Sequence, residues 1–127
     1  MTYPSAAVRR PYARSASLNA LNAAHQVEVG DTASLVFGVF SSVAPTGIQL
    51  IAEGRLSDTS PWLGLNMRPT NDVTSTAPIT QTAAINAQPT NGWRVSTAGF
   101  STARVRVAAI TSGSVVVETR LSDKIYS

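Results

Sequence analysis

The stretch ARVRVAAITSGSVVVETR, residues 103–120, decides the fold class. Ala103, Val105, Val107 and Ala109 alternate with Arg104, Arg106, Ala108 and Ile110, the period of two that marks a strand with one buried face. Thr111, Ser112 and Gly113 follow as a three-residue loop, with Gly113 in the left-handed position that residues bearing a Cβ avoid. Val115, Val116 and Val117 then open a second β-branched strand. The expectation is an antiparallel hairpin. Its register sets Val107 opposite Val117 and Val105 opposite Thr119 on the inner face, with Arg106 opposite Glu118 outside. The same register sets Arg104 against Arg120, a like-charge contact that needs a carboxylate from elsewhere between them. Both arginines are therefore candidate interface residues.

Working upstream, further strands are divided by turn chemistry. Val27 and Val29 lead into a Gly30-Asp31 turn, and Leu35 to Phe40 is apolar enough for a central strand buried on both faces. After Pro45-Thr46-Gly47, Ile48, Leu50 and Ala52 alternate with Gln49, Ile51 and Glu53. Trp62, Gly64 and Asn66 alternate with Leu63, Leu65 and Met67 until Pro69 stops the run. Val73 to Ile85 is Thr-rich around Pro78, as in an edge strand or broken pair, and Pro89 to Gly92 is a turn. Helical periodicity is scarce after residue 26. Residues 26–127 are expected to form an all-β, antiparallel β-sandwich, jelly-roll-like in its connections.

Residues 1–25 read as an extended N-terminal arm. They carry Pro4 and Pro11 and no alternation, and Ser17 to Ala24 has the makings of one or two helical turns with Leu18 and Leu21 on one face. Charge divides at the same place. Arg9, Arg10 and Arg14 face no acid before residue 28, whereas residues 28–127 hold seven basic and seven acidic side chains. With Tyr3 and Tyr12 interleaved, the arm's candidate protein-interface residues are Tyr3, Arg9, Arg10, Tyr12 and Arg14. An arm of this kind adds little to a core, so its removal is expected to leave the sandwich folded. Arginines beside tyrosines also suit phosphates, but the neutral domain offers no basic face, so nucleic acid is disfavoured.

The remaining composition narrows the chemistry. Charged residues are only 13% of the chain, while Ser and Thr supply 29 residues and Ala 18, which suits a surface largely covered by neighbours. There is no cysteine, so no disulfide or thiolate metal site forms. His25 is the single histidine, and without a second base or a nucleophile motif no catalytic constellation assembles. The seven acids never cluster in sequence and none lies in the acidic loop that calcium needs, so a glycosidase pair would require two of them to meet in space. No enzyme activity, catalytic residue, metal or cofactor is expected. No apolar run nears the ~18 residues of a bilayer span, so no membrane is expected either. Trp62, Trp93 and Tyr126 are the aromatics on which a sugar would stack, and Trp62 doubles as an apolar interface anchor.

Gly92-Trp93-Arg94-Val95, the Gly99-Phe100 corner, the Arg104 to Val107 strand, Thr111-Ser112-Gly113-Ser114 and Val115-Val116-Val117 together resemble a recurrent segment of tailed-bacteriophage structural proteins. The match resembles the closing hairpin of β-sandwich modules in capsid cement, head decoration and fibre-type proteins. What the resemblance implies is a non-enzymatic virion protein on the capsid surface. It would stabilise junctions between major capsid protein subunits and contact other copies of itself. The alternative within the same resemblance is a carbohydrate-binding or fibre/baseplate-type module for host attachment.

Overall fold

The computed structural model describes residues 12–41, 44–70, 79–86 and 92–123. Their strands are β1 (Tyr12–Arg14), β2 (Ala24–Glu28), β3 (Ser34–Phe40), β4 (Gln49–Arg55), β5 (Leu63–Leu65), β6 (Met67–Pro69), β7 (Gly92–Ser96), β8 (Thr102–Ala109) and β9 (Val116–Ser122). They form two antiparallel sheets, one ordered β1-β9-β3-β7-β6 and the other β2-β8-β4-β5. The expected sandwich is therefore the observed one. The pairs β1/β9, β2/β8, β3/β7 and β4/β5 nest inside one another and alternate between sheets, which is the jelly-roll order with β6 added at one edge.

Alternation fills the space between the sheets. Leu35, Phe37 and Val39 of β3 and Val95 of β7 face Leu50 and Ala52 of β4 and Val105 and Val107 of β8, all of them buried. Phe37 and Trp93 are register partners, and their rings stack with centroids 5.2 Å apart. β3 lies centrally as expected, but on its outer face only Ser34 is buried. Val36, Gly38 and Phe40 on its outer face are half-exposed. The run from Trp62 to Met67 is two short strands in place of one, because the chain leaves one sheet at Leu65 and enters the other at Met67, with both side chains buried. Of the Thr-rich stretch, the described part makes single bridges, Ile79 with Met67 and Ile85 with Ile48, while residues 71–78 lie outside the described residues.

The hairpin of residues 103–120 is corrected. β8 and β9 belong to different sheets, and β8 is paired on both of its edges, by β2 and by β4. No edge remains for β9, which pairs instead with β3 and β1. Val105, Val107 and Val117 point inward as expected, but across the sandwich and not along one ladder. The intervening residues cross between the sheets, tied by Thr46 N to Ser112 O at 2.9 Å and Thr111 N to Thr46 O at 3.0 Å. Gly113 does hold a left-handed conformation, at φ +84°. A Cβ there would also lie 2.4 Å from the Ala44 carbonyl oxygen, so the crossing needs glycine twice over.

Strands begin before Gln26. Tyr12–Arg14 is an edge strand on β9, and β2 starts at Ala24. Between them no helical turn forms. Leu18 makes a bridge to Val115 and is buried, Asn22 turns the chain at φ +70°, and Leu21 is 58% exposed instead of sharing a face with Leu18. The sequence offers Leu18 as one of two leucines among Ser, Asn and Ala, and its partner is about a hundred residues away in the chain.

Removing residues 1–25 is thus expected to strip β1, Leu18 and the first two residues of β2, whereas removing residues 1–11 leaves every described strand intact. Leu18→Ala should cost about 2–4 kcal/mol, the range for a buried leucine. Chemical denaturation measures it. A loss near zero would mean that this segment does not pack against the core.

Candidate functional site on the outer sheet faces

Because the inner faces are filled by the core, the side chains with chemistry gather on the two outer faces. On the four-stranded sheet, Glu53 of β4 lies opposite Arg104 of β8, and Ile51 lies opposite Arg106. Glu53 Oε1 accepts from Arg104 Nε at 2.8 Å and from Arg106 Nε at 2.9 Å, and Arg106 also donates to Asn22 Oδ1 at 2.7 Å. The Glu53 side chain is 12% exposed, so solvent screens these contacts only partly. Its partial burial alone would raise the carboxyl pKa. The bonds from Arg106 and Arg104 outweigh that, and the net shift is below the ordinary 4.5.

Trp62 sits beside this network. The guanidinium carbons of Arg104 and Arg55 lie 4.1 Å and 4.5 Å from the centre of its ring, and Arg55 also reaches Asp58 at 3.8 Å. Arg104 is therefore neutralised by Glu53 and covered by Trp62. The expected carboxylate beside Arg104 exists, but the expected clash with Arg120 does not, because Arg120 lies on the opposite sheet.

On the five-stranded sheet, Tyr12, Arg120 and Val36 are adjacent in one cross-strand row, with Arg94 and Arg68 continuing it. The Tyr12 hydroxyl donates to the Glu118 carboxylate, and this bond is the main reason its pKa is raised. Arg120 stands 5.5 Å over the Tyr12 ring, and Arg14 stands 4.5 Å over the Phe40 ring. Both arginines are exposed, and neither forms an ion pair among the described residues. Each guanidinium thus rests against an aromatic face on an exposed side chain, with Glu118, the cross-strand partner of Arg14, bonded to the Tyr12 hydroxyl.

The predicted interface residues therefore separate. Tyr12, Arg14 and Arg120 come together on one outer face, and Trp62 and Arg104 on the other. Tyr3, Arg9 and Arg10 lie outside the described residues. Sequence reasoning missed Glu53, Arg55, Arg106 and Phe40 as partners. Alternation does place Glu53 outward, but its partners on β8 are fixed only by the sheet order. Trp93 is 6% exposed and lies in the core, so it offers no ring to a sugar.

Among the described residues, no three His, Asp or Glu side chains gather as a metal would require, and no helix is long and apolar enough to cross a membrane. A shallow groove of about 510 Å³ opens at one end of the sandwich, lined by Asp31, Leu56, Phe100 and Asp123 among others. His25 points inward from β2, and its Nε2 lies 3.2 Å from Thr119 Oγ1 of the opposite sheet. It links the two layers at their open side, where sequence placed it in an arm.

No protein-family model matches the chain, and no curated protein does. Solved structures with the same fold include the SPBc2 prophage-derived protein YomS, with a TM-score of 0.58 and 14% identity over 87% of this chain and 95% of that one. The PBSX exported protein XepA gives a TM-score of 0.61 and 16% identity over 88% of this chain, which spans 38% of the length of XepA. At such identities the likeness is one of fold.

The His25 environment has a measurable consequence. Burial lowers the imidazole pKa below its ordinary 6.5 in the folded chain, so the unfolded chain takes up the proton first. The stability that rests on neutral His25 is present above that ordinary value and is lost as pH falls from it toward the folded pKa. Glu53 adds a second loss only below the ordinary carboxylate range. Denaturation midpoints followed from about pH 7 to pH 5 should fall for the wild type and fall less for His25→Gln. An unchanged slope in that variant would assign the effect elsewhere.

Proposed function

We propose that this chain is a non-enzymatic structural protein of a tailed-bacteriophage virion that docks on the capsid surface and bridges junctions between major capsid protein subunits. The observation that carries this reading is the outer face of the five-stranded sheet, where Arg14 and Arg120 are exposed, held over Phe40 and Tyr12, and unpaired with any described carboxylate. An arginine fixed on a ring loses little freedom on meeting a carboxylate, and its planar fork suits a protein partner. Residues 1–11, with Tyr3, Arg9 and Arg10, extend the same docking set in this proposal. Sharing a fold with a prophage-derived protein is in keeping with it. Sugar binding has less support, because Trp93 is buried and Trp62 already has two guanidinium groups against its ring.

Purified protein should co-sediment with heads of the phage that encodes it. Single exposed ion pairs are worth about 0–1 kcal/mol, so reversing both charges, Arg14→Glu with Arg120→Glu, should weaken binding about tenfold. The loss should be largest at low ionic strength. Heads that ignore the wild-type protein, together with glycan binding abolished by Trp62→Ala, would replace this reading with the host-attachment one.

A further inference from the structure

The open edge of β2 carries a second interaction surface. Among the described residues, β2 is the outermost strand of its sheet and, at five residues, the longest edge strand; β1, β5 and β6 have three each. Its ladder to β8 runs through odd-numbered residues, as Val107 N to Ala23 O at 2.9 Å and Val29 N to Ser101 O at 3.0 Å fix the parity. Ala24, Gln26 and Glu28 therefore turn their amides and carbonyls away from the sheet, and all three are exposed. Natural edge strands usually carry a lysine, a proline, a bulge or an inward charge that blocks pairing with another chain. β2 carries no lysine, proline or bulge: its sequence is Ala-His-Gln-Val-Glu, with regular pairing to β8, and Glu28 is its one carboxylate.

We infer that β2 pairs antiparallel with β2 of a second copy of this chain, joining two four-stranded sheets into one continuous sheet. The register is self-complementary about a two-fold axis at Gln26. Gln26 meets Gln26, and Ala24 meets Glu28 of the second copy, each residue donating and accepting one backbone hydrogen bond. Two glutamates never face each other. Ala24 is the cross-strand partner of Arg106, so Glu28 of the second copy lies on the outer face beside Arg104 and Arg106, two guanidinium groups that share the single carboxylate of Glu53. Charge thus favours this occupant over a strand with another sequence. The inference rests on the reading of the chain as an assembling subunit and names one of its contacts, but it is tested without any capsid.

Sedimentation equilibrium of the full chain between about 1 μM and 1 mM should show a monomer–dimer equilibrium. Gln26→Pro removes one outward N–H and no rung of the β2–β8 ladder, so it should melt near the wild type yet remain monomeric. Glu28→Arg keeps every backbone rung and opposes Arg106, so it should dimerise about tenfold more weakly. It also decides the matter should the proline variant fail to fold. A wild-type monomer throughout the range overturns the inference. So does a dimer of unchanged strength in Glu28→Arg, or a dimer lost on removing residues 1–11, which would make that segment the occupant.

Discussion

A β-strand has two edges, and both edges of β8 are occupied within one sheet, by β2 and by β4. The rest of the architecture follows from that. The next strand cannot continue the ladder, so the chain crosses the sandwich between Ile110 and Val115, and β9 becomes the link between β1 and β3. The crossing is possible because Gly113 adopts φ +84° with the Ala44 carbonyl packed where a side chain would be. Each inner strand pair then lies in the sheet opposite the pair outside it, which gives the jelly roll its alternation.

This partition also decides where chemistry can occur. The space between the sheets is filled by Phe37, Trp93 and the aliphatic residues around them. The arginines are divided between the two outer faces. Arg104 and Arg106 close on Glu53 and Trp62 in a network that is largely satisfied internally, while Arg120 and Arg14 rest against aromatic rings and are exposed. The first face stiffens a sheet.

Much of the inside was legible from sequence, and little of the outside was. Period-two patterns at Ile48, Leu50 and Ala52, and at Val105 and Val107, named buried side chains correctly, because burial depends on alternation and alternation is local. The hairpin reading failed for a related reason. A tight hairpin and a crossing between sheets share the same inward alternation and the same left-handed glycine, so residues 103–120 fit both. Choosing between them requires knowing that β2 and β4 flank β8, which no local pattern carries. β1 and the start of β2 escaped notice because edge strands bury little, and Tyr12–Arg14 is three residues long. Candidate residues such as Trp62 and Arg104 were found by type. Their partner Glu53 was fixed only by a register that spans about fifty residues of chain.

Separation of β8 from β9 is the central claim, and a chain without cysteine allows a direct measurement. Paired cysteines at Val36→Cys and Arg120→Cys, register partners on one outer face, should form a disulfide in the folded protein under mild oxidation. Arg106→Cys with Glu118→Cys, which a hairpin would place face to face, should remain reduced because the two positions lie in different sheets. Mass spectrometry reads both. A disulfide between positions 106 and 118, with none between 36 and 120, would contradict the two-sheet partition and every assignment of an arginine to a face.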